Sequence, residues 1–122
     1  MAQHNDLGTT GEEAAIAFLR EKGYSILTTN YRYGKAEIDI IARMGDELVI
    51  IEVKTRTSTY YGDPGEAVGR RKELMVAAAA DHYISKNDLD VNVRYDIISV
   101  IINKGKVTID HIEDAFYPFM NL

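Results

Sequence analysis

The segment "AEIDIIARMGDELVIIEVKTR", residues 36–56, constrains the fold of this chain more than any other. Two runs of β-branched and aliphatic residues flank Gly45-Asp46, and a glycine at the first central position suits a two-residue type II′ hairpin. If the turn closes there, Met44 faces Glu47. Continuing that count sets Asp39 across from Glu52 and Glu37 across from Lys54, and alternation puts all four on one face. Strands deplete Asp, Glu and Lys. Directly opposed residues have Cβ atoms about 4.5–5.5 Å apart, where like charges repel. A divalent cation would remove that cost, since Mg²⁺ is commonly held by one or two carboxylates plus water and phosphate oxygens. The plainer alternative is a solvated face, the usual fate of an acid-x-Lys pattern, and a longer turn or a bulge would separate Asp39 from Glu52.

Around this hairpin the chain reads as α-β-β-β-α-β-β. Thr10 and Glu13 make a capping-box pattern, Ala14, Ala15, Phe18 and Leu19 supply a helical stripe, and Gly23 suits a C-terminal cap. A short strand is expected over residues 25–29. The loop "TSTYYGDPG", residues 57–65, follows the hairpin. A second helix is expected over 66–85, with Val68, Met75 and Ala79 on one stripe and Leu74 and Ala78 beside them. "VRYDIISVII" reads as a buried strand, "NKGK" as a turn, and residues 107–112 as a last strand, before a short docking tail "DAFYPFMN". This order calls for an α/β fold with a mixed central sheet flanked by helices, in one domain over residues 1–122, with a right-handed parallel crossover.

Several classes are excluded by composition. The 122 residues contain no cysteine, so disulfides, thiolate metal sites and cysteine nucleophiles are absent. No apolar run approaches a membrane span and the N-terminus lacks a signal-peptide pattern, so a cytoplasmic protein without a membrane partner is expected. Neither a P-loop nor a dinucleotide fingerprint is present, so no nucleotide cofactor is expected. His4, His82 and His111 show no metal-ligand spacing, and Arg94 with Asp96 reads as a structural ion pair with the first helix. Net charge is −5, but Lys54, Arg56, Arg70, Arg71 and Lys72 face only Asp63 and Glu66 in segment 54–72. Such a local positive region fits a confined phosphate-binding surface, or simply a solvated loop and helix start.

Taken together, "GTTGEEAA", "AEIDIIA", "VIIEVKTR", "GDPGEAV" and "VRYDIISV" resemble the YraN-like family of predicted endonucleases. These are relatives of archaeal Holliday-junction resolvases within the PD-(D/E)xK nuclease superfamily. The resemblance runs from Gly8 to Phe116 and implies a restriction-endonuclease-like αβββαβ core. It also implies a Mg²⁺- or Mn²⁺-dependent endonuclease acting on DNA, branched DNA in particular. Asp39, Glu52 and the Val53 backbone carbonyl would ligate the metal, with Glu12 completing the site. Lys54 would position or help deprotonate the attacking water, and Glu37 would support it from the same motif. Ala36 stands where that motif usually has Gly. Arg56 would continue the strand toward phosphate, joined by Lys72 at the edge of the buried helical stripe and by Arg70 farther around. Tyr60 and Tyr61, in the loop, would either stack on unpaired bases or pack locally. A symmetric substrate would invite a homodimer. Two other readings stay open: a non-cleaving module that binds nucleic acid or a recombination partner, and an RNA-directed enzyme with the same site. Opposed carboxylates favour an enzyme.

Overall fold

Glycine-led turns tie the first three strands into an antiparallel meander. The computed structural model describes residues 3–57 and 69–118. After helix α1 (Gln3–Glu21) come β1 (Ser25–Tyr33), β2 (Ala36–Met44) and β3 (Glu47–Arg56). Gly34 and Gly45 open the two turns at φ 60° and 59°, while Lys35 and Asp46 stay out of the left-handed region, as in type II′ turns. Tyr33 therefore faces Ala36, and Met44 faces Glu47. Ala36 is not at positive φ either, so the alanine there is accommodated without backbone strain. Helix α2 (Arg70–Lys86) precedes β4 (Asn92–Asn103), which runs parallel to β3. A Lys104-Gly105 turn with both residues at positive φ returns β5 (Lys106–Ile112). The five strands lie in chain order in one mixed sheet.

Each face of that sheet carries one helix. Leu48, Ile50, Tyr95 and Ile97 pack with Val76, Ala77, Ala79 and Ala80 of α2. Val49, Ile51, Ile98 and Val100 pack with Ala15 and Leu19 of α1. The two central strands are thus apolar on both sides, which is why they read as continuous hydrophobic runs. This is the restriction-endonuclease-like αβββαβ arrangement. Helix α1 ends in a Schellman motif: the Tyr24 N–H donates to the Leu19 carbonyl at 3.0 Å and the Gly23 N–H to that of Arg20 at 3.0 Å, with Gly23 at φ 95°.

The structure corrects several local expectations. Helix α1 begins at Gln3, so Thr10 and Glu13 lie inside it. A threonine cap contributes only about 1 kcal/mol, and no proline stops the helix before it. Strand β1 extends to Tyr33, because Tyr31 and Tyr33 stay paired with β2. Helix α2 begins at Arg70 with Gly69 as an extended N-cap, and residues 66–68 lie outside the described residues. Met75 and Ala79 face the core as expected, but the flank lies on the other side: Leu74 is 42% exposed and Ala78 faces solvent, while Val76 and Ala80 are buried. The tail docks as expected through Phe116, whose ring lies 5.3 Å from that of Tyr95, while the Ala115 N–H donates to the Tyr95 carbonyl at 2.7 Å.

At the start of β4 a buried network holds three strands together. Asp96, fully buried, accepts from Arg94 Nε at 3.0 Å and Nη2 at 2.8 Å, and from the Asp114 N–H at 3.1 Å. His111 Nε2 lies 2.7 Å from its Oδ2. Burial opposes the charge of Asp96, but the bonds from His111, Arg94 and the Asp114 N–H outweigh it and hold the carboxyl below its ordinary range. Arg94 also reaches Glu47 at 2.8 Å and the Tyr24 hydroxyl. Arg94 thus pairs with strand acids and with the residue closing α1, rather than with α1 itself.

At Gly11, α1 lies close against β3. A Cβ there would fall 1.9 Å from Thr55 Oγ1 and 2.8 Å from Thr55 Cβ. Gly11→Ala should therefore destabilise the protein by about 1–3 kcal/mol, although alanine is the better helix former by about 1 kcal/mol. Urea unfolding should also show partial rescue by Thr55→Ala, which removes the nearest atoms but not Cβ. Equal or greater stability of Gly11→Ala would contradict this packing.

Candidate active site

The β2–β3 ladder stops at Ile40–Ile51, although both strands continue beyond it. The β1–β2 ladder passes over one position, between the Thr29–Ile40 and Tyr31–Ile38 pairs, where Asn30 lies opposite Asp39. Alternation slips at that point. Ala36, Ile38 and Ile41 join the α2 side of the sheet, whereas Ile40 and Ala42 join the α1 side. Asn30 adopts φ 52°, a left-handed conformation that asparagine tolerates better than most residues. Strand β3 meanwhile stays paired with β4 through Arg56, so the sheet opens between β2 and β3.

Asp39 occupies this opening. Val53 lies beyond the last β2 partner, and its N–H donates instead to Asp39 Oδ2 at 2.8 Å. A strand residue presents N–H and C=O on the same edge, so the Val53 carbonyl also faces the gap. Asp39 and Glu52 are therefore not ladder partners, and Glu37 is not across from Lys54. Glu37 pairs instead with Arg32 of β1, at 3.5 Å. The slip in alternation at Asp39 takes the four charges out of a single row and gathers them around an opening, while the one register shift between β1 and β2 lies farther back, between Ile26 and Thr28.

Glu52 Oε1 receives Lys72 Nζ at 2.6 Å and lies 3.7 Å from Lys54 Nζ. Glu12 stands on α1, where its Oε1 accepts from Asn30 Nδ2 at 2.9 Å. Burial, then the charge of Glu52, push the Asp39 carboxyl up to about 6. The Val53 N–H opposes this, Glu12 adds to it, and Lys72 lowers it. Asp39, Glu52, Glu37 and Lys72 line a cavity of about 320 Å³ with Lys35 and the apolar wall of Met75 and Val76.

Of the other sequence candidates, Lys54 and Arg56 follow Glu52 at alternate positions of β3, both half-buried. Arg70 is exposed, pairs with Glu73 at 3.8 Å and does not line the cavity. Tyr60 and Tyr61 lie outside the described residues. His82 borders the core as expected, with Nδ1 2.7 Å from the Tyr31 hydroxyl and its ring stacked on Tyr33 at 4.3 Å. Sequence reasoning missed Asn30 and Lys35. Asn30 did carry a signal, since asparagine is a poor strand former in mid-strand.

Among the described residues no three His, Cys, Asp or Glu side chains form a preassembled cation cage. The donors present still fit a hard divalent ion. Two carboxylates and a backbone carbonyl edge are all oxygen, which suits Mg²⁺ or Mn²⁺ better than softer metals. Among the described residues Asp39 forms no ion pair, and burial followed by the charge of Glu52 holds its carboxyl up.

That raised value has a definite sign. With the folded value near 6 and the ordinary one at 3.8, the fold binds the extra proton. The associated stability is complete below about pH 4 and lost as pH rises through 6. In chelator, Asp39→Asn should match the wild type near pH 4 and exceed it above pH 7 by roughly 2–3 kcal/mol, measured by urea unfolding. A pH-independent difference would contradict the electrostatics described.

Comparison with known proteins places the chain in a family. Residues 11–100 match the model of the uncharacterised protein family UPF0102. A UPF0102 protein of Christiangramia forsetii is 49% identical over 119 residues, covering 98% of this chain and all of the relative. Another from Flavobacterium psychrophilum is 50% identical with the same coverage. One from Bacteroides thetaiotaomicron is 51% identical over 118 residues, covering 97% of this chain and 98% of the relative. Among the described residues, no helix is long and apolar enough to cross a membrane. The match to the family model and these near full-length identities show that the chain belongs to the UPF0102 family.

Proposed function

We propose that this protein is a metal-dependent endonuclease that hydrolyses phosphodiester bonds in DNA, with branched or otherwise structured DNA as its substrate. One observation carries the reading: Asp39 and Glu52, from strands that part, share a cavity with Lys72 beside Lys54. Asp39, Glu52 and the Val53 carbonyl are the groups that would hold Mg²⁺ or Mn²⁺, with Glu12 close enough to act on Asp39 from the α1 side. When bound, such an ion lowers the pKa of coordinated water and offsets negative charge building on the phosphate. Lys54 contributes a fixed positive charge next to the reacting phosphate and orients the attacking water. Lys35 and Lys72 line the approach, and Arg56 extends the positive charge along β3. The preference for branched DNA rests on the family resemblance, and two copies of the chain would serve a symmetric four-way junction.

A second reading, a non-cleaving module that grips nucleic acid or a recombination partner, is favoured by one feature. Glu52 is already neutralised by two lysines. Cleavage separates the two readings. With Mg²⁺ or Mn²⁺, a panel of four-way junction, flap, single-stranded DNA and RNA should include at least one substrate cut by the wild type. Asp39→Ala and Glu52→Ala should each lower that rate at least about 100-fold, as loss of groups acting on the transition state does. Equal residual cutting by the variants would reveal a contaminant and contradict the proposal. Binding in both variants with no cutting anywhere would support the module.

A further inference from the structure

The closest cation to Glu52 belongs to α2, not to the strand. Lys72 Nζ stands 2.6 Å from Glu52 Oε1, while Lys54 Nζ stands 3.7 Å from the same oxygen. The Glu52 side chain is only 11% exposed, so this contact is poorly screened and bonds as a charge-assisted pair. A divalent cation would bind the same carboxylate, at roughly 2.1 Å. Two positive groups on one buried carboxylate repel, which favours departure of the more mobile one. Lys54 is on a strand that stays paired with β4 beyond the gap and is 23% exposed. Lys72 is 43% exposed, on a helix, with a long flexible stem. Lys72 also lines the cavity together with Lys35, so leaving Glu52 keeps its ammonium group where a phosphate would enter.

We propose that Lys72 is a placeholder cation: it neutralises Glu52 while the site holds no metal, is displaced by the divalent ion, and then binds the substrate phosphate. This rests on the metal-dependent reading above and adds a coupling to it. Lys72 opposes metal binding in the absence of nucleic acid and favours it once a phosphate offers the ammonium group another partner. By linkage, metal and nucleic acid then tighten each other's binding by the same factor.

The test measures Mn²⁺ affinity by calorimetry without nucleic acid, and oligonucleotide affinity by anisotropy in saturating Ca²⁺. Wild type is compared with Lys72→Met, Lys72→Gln and Arg70→Met. Removing a charge this close should tighten Mn²⁺ binding about tenfold in both Lys72 variants. Arg70→Met makes the same change in net charge away from the cavity and should stay within about twofold. The Lys72 variants should also bind the oligonucleotide more weakly, with the salt dependence reduced by about one phosphate contact. A merely structural lysine would not move the two affinities in opposite directions. Unchanged or weaker Mn²⁺ binding in both Lys72 variants would overturn the inference, as would unchanged oligonucleotide binding or equal tightening in Arg70→Met. If wild type binds Mn²⁺ and the Lys72 variants match it, this inference alone fails. If neither wild type nor the variants bind Mn²⁺, the metal-dependent reading fails with it.

Discussion

Everything at the candidate site depends on the parting of β2 from β3 beyond the Ile40–Ile51 pair. Had the ladder continued, Asp39 and Glu52 would face each other as a like-charged pair and the Val53 N–H would bond to β2 backbone. The slip in side-chain alternation at Asp39 and the left-handed Asn30 opposite it turn the strand instead. The Asp39 carboxylate then takes the place of a strand carbonyl as acceptor for Val53. One side chain both satisfies the backbone exposed by the opening and supplies charge to it.

The opening is affordable because the rest of the sheet is fixed from the other side. Strand β3 is paired with β4 over its whole length, from Glu47–Asn92 to Arg56–Ile101. Helix α1 presses on its end through Gly11 and Thr55, and the Arg94–Asp96–His111 network anchors the opposite end of β4. Glu12 is held on α1 one residue after that close contact, which ties its position to the packing of the helix. Groups carried on such elements keep their geometry better than groups on loops. Lys72, at the start of α2, is more exposed than Lys54 and so freer to move.

Much of this was legible in the sequence, up to a definite point. Gly45-Asp46 sets a two-residue turn, and the turn sets the register as far as Ile40–Ile51, because strand periodicity leaves no other choice. Past Ile40 the letters continue to alternate, and periodicity alone kept Asp39 opposite Glu52 and Glu37 opposite Lys54. The slip in alternation at Asp39 is a tertiary outcome. Its only local trace is Asn30, whose place opposite Asp39 depends on a pairing between strands. The Leu74 assignment failed for a related reason, since an alanine-rich helix offers several nearly equivalent stripes and the sheet selects one. Lys72 was expected near phosphate from its place on α2, but its bond to Glu52 joins residues 20 apart and has no local signature.

The central claim is that the gap between β2 and β3 binds a divalent cation. Crystals grown with Mn²⁺ and measured at an anomalous wavelength test it directly. Density should appear in the gap, roughly 2.1 Å from oxygens of Asp39 and Glu52 and within bonding distance of the Val53 carbonyl, with Lys72 withdrawn from Glu52. Lys72 still bonded to Glu52, with no anomalous density in the gap at millimolar Mn²⁺, would contradict it.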